Sequence, residues 1–197
     1  MLLRDLCQIS SGFTARGRLQ SVSTGGLLAV QLRDVEVGRD LDAESLARYQ
    51  LDDIPDRYLI RGGEVLFRSR GDHNTAAFVD GPLREAAIVV LPLVILRPHT
   101  GMILPEYLAW VINQPKAQRH LDAEAQGTNI RMIPKAVLER IDIPLPDLEA
   151  QSRTVAIYKL ARREGALLRN LADRREQLAG LILNGQATLT RKKGLQQ

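Results

Sequence analysis

Residues Gly127 to Leu160 read GTNIRMIPKAVLERIDIPLPDLEAQSRTVAIYKL, and the order of signals in them predicts how the folded part of the chain closes. A turn at Gly127 leads to a short helix opened by Pro134, because proline is tolerated at the first position of a helix. A short strand, Ile141 to Ile143, is then ended by the sequence PLP. After Gln151 the pattern changes to a long charged helix. We therefore predict a folded domain that is followed directly by an extended helix.

The bulk composition is that of a folded protein without disulfides. The chain has 197 residues, of which 45% are hydrophobic, enough for one domain and an appendage. Its single cysteine, Cys7, excludes an internal disulfide and a cysteine-based zinc site. The longest apolar run, Ala86 to Leu96, contains Pro92 and is too short to span a bilayer, so we expect a buried strand there and no membrane association. The first residues lack a signal-peptide pattern, and we expect a cytoplasmic protein.

Charge is distributed unevenly along the chain. From Glu149 onward ten Lys and Arg face four acids, which gives +6 within an overall net charge of +4. The preceding 148 residues hold 17 bases and 19 acids, which gives −2. A nucleic-acid surface on this first part must therefore be local, with the acids on another face.

Residues 1–148 are predicted to form one α+β domain. A first helix is expected from about Asp42 to Tyr49, with Asp42 as its N-cap. A second helix opens at Pro105, is kinked or restarted at Pro115 and ends by Gly127. Strand-like runs separated by glycine turns are Leu27 to Leu32, Glu64 to Arg68, Ala76 to Val79 and Ile88 to Leu96.

The segment 149–184 carries the repeat of a coiled coil. Apolar residues recur in alternating steps of three and four, interrupted only by Glu164 and Arg174, and we call this row the seam. We expect dimerisation through its six apolar members, which are Ile157, Leu160, Leu167, Leu171, Leu178 and Leu181. So narrow a stripe favours another helix as its partner; the alternative is a helix lying on its own domain. Asn184 and Gly185 predict the end of the helix, and residues 185–197 are expected to form a basic flexible tail.

No combination of residues in the sequence forms a recognisable active site. The three histidines, at positions 73, 99 and 120, lack the spacing of metal ligands, and the glycines match neither a dinucleotide-binding nor a phosphate-binding loop. An acidic cluster between residues 34 and 56 does not follow the spacing of a calcium loop, and we interpret it as a solvated surface. We therefore expect no catalytic residue, no metal and no cofactor.

Polar and basic side chains instead concentrate in three loops, at residues 11–18, 68–75 and 126–131. Arg, Asn and Gln are the side chains that bind base edges in the major groove, whereas Ser, Thr and Lys mostly bind phosphates. Loops on a rigid domain are a common place for both. The candidates for DNA contact are Thr14, Arg16, Arg18, Arg68, Arg70, Asn74, Thr128, Asn129 and Arg131.

Three motifs, in this order, resemble those of the DNA-specificity subunits of type I restriction-modification enzymes. The sequence LIRGGEVLFRSRG at residues 59–71 resembles the family's strand and loop L-x-x-G-D-V-L-F-x-x-R-G, with Glu64 where Asp is more usual. The sequence LPEYLAW at residues 104–110 resembles its P-x-Y-L helix. Residues 127–151 resemble its ending, G-T-x-x-x-x-I followed by I-P-L-P-x-x-x-x-Q. The resemblance implies a non-catalytic subunit whose recognition domain binds one half of a bipartite DNA site.

The resemblance covers one recognition domain and one spacer helix, whereas a full specificity subunit has two of each. We therefore expect a half-subunit that forms an antiparallel homodimer through the C-terminal helix and binds an interrupted palindrome. The expected partners are double-stranded DNA and a DNA methyltransferase subunit, and whether a restriction nuclease subunit joins is left open. Two alternatives stay open: a coiled-coil adaptor that recruits a methyltransferase or another defence component without reading sequence, and a nuclease whose site has no recognised motif.

Overall fold

The computed structural model describes residues 1–193 apart from positions 16, 18, 52, 53, 128 and 129, and it describes side chains as far as Asn184. The chain divides into two units, Met1–Arg153 and Thr154–Gln197. The strands of the first unit are β1 (Cys7–Ser11), β2 (Ser21–Val22), β3 (Leu27–Val30), β4 (Arg48–Tyr49), β5 (Leu59–Ile60), β6 (Val65–Arg68), β7 (Thr75–Phe78), β8 (Ala87–Val89) and β9 (Leu93–Pro98). The helices are α1 (Leu3–Leu6), α2 (Pro105–Ile112), α3 (Pro115–Ala123), α4 (Lys135–Glu139) and α5 (Leu148–Lys193), the last of which begins in the first unit and continues through the second. This is the predicted α+β architecture with a long C-terminal helix.

One sheet is antiparallel and has the strand order β1–β9–β6–β7. The central strand β6 pairs on both sides, with Val65 opposite Leu96 of β9 and opposite Phe78 of β7. Leu66 and Phe67 are fully buried like Val65, because both faces of this sheet are covered. A strand covered on both faces is a continuous apolar run in the sequence, which is why β6 could be predicted. The loop after β6 therefore starts from a rigid element.

The second sheet has the strand order β2–β4–β3–β8–β5. Its strands β3 and β8 are parallel, with Ala29 opposite Ile88, and its other pairs are antiparallel. Both of these residues are buried, and Tyr49 of β4 and Val90 pack with them. The core of the first unit thus lies between and around two sheets, which are connected by the short chain segment between β8 and β9.

The apolar run Ala86 to Leu96 is not the single buried strand that the sequence predicted. Its first part is β8 in one sheet and its second part is β9 in the other, with the cis-bonded pair Leu91–Pro92 between them. Proline has no N–H for a strand ladder, and the Leu93 N–H donates back to the Val90 carbonyl at 3.1 Å, which closes a turn. This turn places the end of β8, in one sheet, next to the start of β9, in the other.

The prediction of a helix from Asp42 to Tyr49 is wrong, because only a short part of this segment is helical. The chain forms one 3-10 turn, Ala43–Ser45, and then enters β4. Asp42 is the N-cap, as predicted, and its carboxylate accepts a hydrogen bond from the Glu44 N–H at 3.1 Å. The residues after the turn pair with β2 and β3, because sheet pairing outweighs a weak local preference for helix.

The prediction for the closing segment, residues 127–160, is confirmed in part. The helix α4 follows Pro134, and α2 and α3 begin at the two predicted prolines. The predicted strand Ile141 to Ile143 is instead a single bridge between Asp142 and Leu2, flanked by hydrogen bonds from Leu3 N–H to Ile141 and from Ile143 N–H to Met1. The extended conformation is present, but only the first residues of the chain lie beside it.

The helix α5 is longer than predicted. Its backbone remains helical to Lys193, beyond the predicted end at Asn184 and Gly185, so residues 185–193 are not the expected loose tail. A glycine inside a helix costs about 1 kcal/mol relative to alanine, which continued helical hydrogen bonding on both sides offsets. Within the described part of the chain, no helix combines the length and the apolar character that crossing a membrane requires.

Candidate functional site

Two of the three predicted loops are joined by backbone hydrogen bonds. In the loop after β6, the Gly71 N–H donates to the Arg131 carbonyl at 3.0 Å, and the Ser69 carbonyl accepts from the Ile133 N–H at 2.8 Å. These bonds frame an antiparallel bridge between Arg70 and Met132. The loop that follows β6 and the loop that precedes α4 therefore form one surface.

The first predicted loop lies against the turn between β8 and β9. The Phe13 N–H donates to the Val89 carbonyl at 2.7 Å, and the Phe13 carbonyl accepts from the Leu91 N–H at 3.0 Å. Gly12 makes this approach possible, since a Cβ at that position would lie 2.9 Å from the Val89 carbonyl oxygen. Glycine at this position is thus required by packing.

Ser69 connects the same turn to the second loop. Its N–H donates to the Pro92 carbonyl at 3.3 Å, and its hydroxyl donates to the same oxygen. The first and second predicted loops therefore meet at Leu91 and Pro92, and the third is joined to them through the second. We call the surface formed by residues 11–14, 69–74, 126, 127 and 130–133 the three-loop face.

The arginines at this face differ in their freedom to bind a ligand. Arg70 is exposed, and its guanidinium makes no hydrogen bond or ion pair with another residue that the structure describes. Arg131 is held by Asp122, whose Oδ1 accepts from Arg131 Nη2 at 2.8 Å. Arg68 is half-buried, and its Nε donates to the Arg70 carbonyl at 3.3 Å. Among the described arginines of these loops, Arg70 is thus the one available to a ligand, and Arg68 supports the loop that carries it.

Asn74 has a structural role in the same loop. Its side chain is buried, and Nδ2 donates to the Arg68 carbonyl at 3.1 Å. Binding a ligand through this amide would leave that carbonyl without its partner. Asn74 therefore has a structural partner where the sequence predicted a DNA contact, whereas Thr14 is exposed on the three-loop face. The other predicted contacts, Arg16, Arg18, Thr128 and Asn129, lie outside the described residues.

Asn113, at the end of α2, holds the strand that follows the second loop. Its Oδ1 accepts from the Ala76 N–H at 2.9 Å and from the Thr75 hydroxyl at 3.0 Å, and its Nδ2 donates to the Ala76 carbonyl at 2.7 Å. The amide thus takes the place of a neighbouring strand along β7. No local pattern predicted this contact, because a helix end and a strand distant along the chain meet only in the folded state.

Two further residues of the three-loop face were not among the predicted contacts. Gln126 and Met132 exchange two backbone hydrogen bonds, at 2.9 and 2.8 Å, and both side chains are exposed. The polar loop QGTN contains Gln126, so the sequence offered a weak signal for it. A methionine is usually interpreted as core, so only the structure could show that Met132 is 47% exposed.

A cavity of about 440 Å³ lies beside β3 and β8, away from any predicted site residue. Its charged lining includes Arg48 and Glu85, and the hydrogen bond from Arg48 lowers the pKa of the Glu85 carboxyl below its usual value. No histidine, cysteine, serine or threonine lines it. Within the part of the chain that the structure describes, no group of His, Cys, Asp and Glu side chains could hold a metal ion.

The six apolar residues of the seam lie on the part of α5 that forms the second unit. Each is exposed, with relative exposures between 49% for Leu171 and 71% for Leu181. Leu168, Ile182 and Leu183 add further exposed apolar surface to the same helix. Apolar exposure of this extent is typical of a helix that binds another surface.

The comparison with solved structures gives the fold. A structure described as showing complex assembly and conformational transition of the type I R-M system superposes with a TM-score of 0.66 at 21% identity, over 92% of this chain and 42% of the other. The HsdS subunit from Thermoanaerobacter tengcongensis gives 0.60 at 19% identity, over 86% of this chain and 38% of the other. The chain has the fold of a type I specificity subunit.

A third structure with this specificity-subunit fold is the S subunit of a type I restriction-modification system from M. genitalium. It gives a TM-score of 0.56 at 11% identity, over 81% of this chain and 37% of the other. The chain thus spans about two fifths of the length of the specificity-subunit structures it matches. No protein-family model and no curated protein matches the sequence.

Proposed function

We propose that this chain is a sequence-specific DNA-recognition subunit of a type I-like restriction-modification system or a related DNA-methylation system that defends against phage. The observation that carries the proposal is the three-loop face. Loops from distant parts of the chain meet there through backbone hydrogen bonds, and an exposed Arg70 lies among them. The fold is that of specificity subunits, which supports DNA as the ligand of this face.

The proposed subunit contributes recognition and no chemistry. A partner methyltransferase modifies the DNA, and in a system that restricts, a nuclease subunit cleaves it. The net −2 of residues 1–148 requires that the proposed contact with DNA be local rather than through a general cationic surface. The proposed place of action is the cytoplasm.

The assembly proposed for the chain is a homodimer through the seam of α5. The six apolar side chains of the seam are exposed in the single chain, and a second copy in antiparallel orientation would cover them. Two identical recognition domains related by a two-fold axis would bind two identical half-sites. The expected DNA target is therefore a palindrome interrupted by a fixed gap.

The experiment that tests the proposed function is a selection from random duplex DNA with the chain purified together with its methyltransferase. We expect enrichment of a two-part palindrome with one gap length. Enrichment of no sequence by a stable complex would overturn the proposal and favour the coiled-coil adaptor. That adaptor would also show no salt-dependent binding to duplex DNA.

A matched pair of variants connects the selected sequence to the three-loop face. Arg70→Ala removes a cation from the three-loop face. Arg84→Ala is the control: it removes a cation whose side chain is 90% exposed and lines the cavity beside β3. We expect the first to weaken binding to the selected site by about tenfold or more and the second to leave it unchanged. Equal weakening of DNA binding by both variants would contradict the proposal that the three-loop face binds DNA.

A further inference from the structure

Three exposed side chains of different chemistry lie in one row on the three-loop face. Gln126 is paired with Met132 through two mutual backbone hydrogen bonds, and Met132 is also bridged to Arg70 on its other side. Met132 is therefore the middle member of a short three-stranded arrangement. The row presents an amide, a thioether and a guanidinium, in that order.

The backbone pairing fixes the direction of these side chains. Residues directly opposite each other in antiparallel segments point to the same side, with Cβ atoms about 4.5–5.5 Å apart. The bonds around Arg70 and Met132 run between their flanking residues, which is the closer of the two antiparallel pairings. Across two such spacings the row extends about 10 Å, close to the width of about 12 Å of the major groove of DNA.

The row is held by backbone contacts and by neighbouring residues, and none of these contacts uses the side chains of Gln126, Met132 or Arg70. Ser69, next to Arg70, is buried and bonded to the Pro92 carbonyl through its N–H and its hydroxyl. The Ser69 carbonyl in turn accepts from the Ile133 N–H at 2.8 Å. Supports of this kind position a binding group without using its functional atoms.

The exposure of Met132 sets this row apart from an ordinary polar loop. About half of the Met132 residue surface, which lies between an arginine and a glutamine, stays in contact with water in the free protein. Ile130, which is 50% exposed, and Leu91, which is 39% exposed, add apolar surface to the same face. A surface that alternates apolar and hydrogen-bonding groups matches the edges of base pairs, which present methyl groups between donors and acceptors.

We infer that Gln126, Met132 and Arg70 are the specificity-determining residues of the three-loop face, and that they contact neighbouring base pairs in the major groove. Arg70 binds guanine through O6 and N7, Gln126 binds adenine through N6 and N7, and Met132 packs on the 5-methyl group of thymine. This inference rests on the proposed function. It adds Gln126 and Met132 to the predicted contacts and gives each member of the row a separate base.

The test uses the complex with methyltransferase and the DNA site selected by the unaltered protein. Each thymine of that site is replaced in turn by deoxyuridine, which lacks only the 5-methyl group. We expect one thymine per half-site at which the replacement weakens binding about fourfold, the loss that corresponds to one buried methyl group. In Met132→Ala the same replacement should have no effect, whereas Met132→Leu should keep the sensitivity.

Matched variants complete the test. Arg70→Ala and Gln126→Ala should each relax base preference at one position next to the sensitive thymine, when the selection is repeated. Met102→Ala, a change at an exposed methionine outside the row, should alter neither the selected site nor the response to deoxyuridine. All four positions are exposed, so the variants are expected to fold, which their thermal unfolding checks.

The outcomes separate this inference from the proposed function. If the unaltered complex selects no sequence, the proposed function fails. If it selects a site, but the Arg70 and Gln126 variants keep every base preference and the Met132→Ala variant keeps its response to deoxyuridine, the row is not the specificity determinant. DNA recognition would then stand, carried by other residues of the chain.

Discussion

At the scale of single residues, Arg97 joins the two sheets of the first unit. It lies on β9, where its Nε donates to the buried Glu64 carboxylate at 2.6 Å, and its Nη2 donates to the Leu59 carbonyl of β5 at 3.0 Å. Glu64 also accepts from the Arg61 N–H at 2.9 Å. The longer glutamate, at the position where related motifs more usually have aspartate, thus has two partners.

We predict that Arg97→Ala lowers the free energy of unfolding by about 3 kcal/mol, because it leaves a carboxylate buried without its cation. The double variant Arg97→Ala with Glu64→Gln should recover part of this loss, since the uncharged amide is less costly to bury. Urea unfolding of both variants measures the difference. A loss below about 1 kcal/mol in the single variant would show that the pair is not important for stability.

Cys7 illustrates how burial controls reactivity at the same scale. Burial raises the pKa of its thiol to about 12, and Sγ lies 3.4 Å from the Leu3 carbonyl oxygen, to which it donates. The thiolate, which is the reactive form, is therefore disfavoured in the folded protein.

We predict that Cys7 resists alkylation by iodoacetamide at pH 8 in the native protein and reacts readily in urea. Because the pKa of Cys7 in the folded protein lies above the ordinary value of 9.0, stability is unaffected below that pH and falls as pH rises from about 9 towards 12, where the unfolded chain releases its proton first. Cys7→Ala should lose this part of the alkaline decline. Rapid alkylation of Cys7 in the native protein, measured by mass spectrometry, would contradict the raised pKa of its thiol.

At the scale of elements, one side chain fixes the start of α5. Gln151 is fully buried, and its Oε1 accepts from the Leu104 N–H, the residue that caps α2, at 2.8 Å. Its Nε2 donates to the carbonyls of Pro146 at 2.8 Å and Met102 at 3.1 Å. Two of its three hydrogen bonds join the first turn of α5 to the segment leading into α2, and the third, to Pro146, holds the residues just before α5.

We predict that Gln151→Ala costs about 2 kcal/mol of stability, since a buried N–H and two carbonyls lose their partner. Hydrogen exchange should accelerate at the Leu104 N–H and in the first turn of α5. Ser152→Ala, at the exposed neighbouring position, is the control and should change neither quantity. Unchanged exchange at Leu104 in the Gln151 variant would mean that the amide does not anchor the helix.

At the scale of the whole molecule, the exposed seam of α5 underlies the prediction of a homodimer. We predict a dimer at micromolar concentrations and a shift to monomer in Leu171→Lys, because a lysine in the seam would have to be buried between helices. Ala172→Lys introduces the same charge one residue further on, outside the seam, and should remain dimeric. Sedimentation equilibrium distinguishes these outcomes, and a monomeric unaltered protein would contradict the prediction unless the methyltransferase covers the seam.

The sequence by itself determined the features that depend on local chemistry. Pro105, Pro115 and Pro134 marked three helix starts because the ring restricts φ and removes an N–H that the first turn does not use. The continuous apolar run of β6 and the heptad spacing of α5 were visible because side-chain periodicity follows backbone geometry. The polar loops were identified from composition alone.

The tertiary structure decided everything that depends on register and on long-range hydrogen bonds. Ala86 to Leu96 became two strands in two sheets because each half found a different partner. Asn74 became a buried brace because its amide bonds to the Arg68 carbonyl across its own loop. Gln126 and Met132 came to lie beside Arg70 because the loop after β6 pairs with the loop before α4. A local pattern carries no information about which distant segment will lie opposite, so the row formed by Gln126, Met132 and Arg70 exists only in the folded chain.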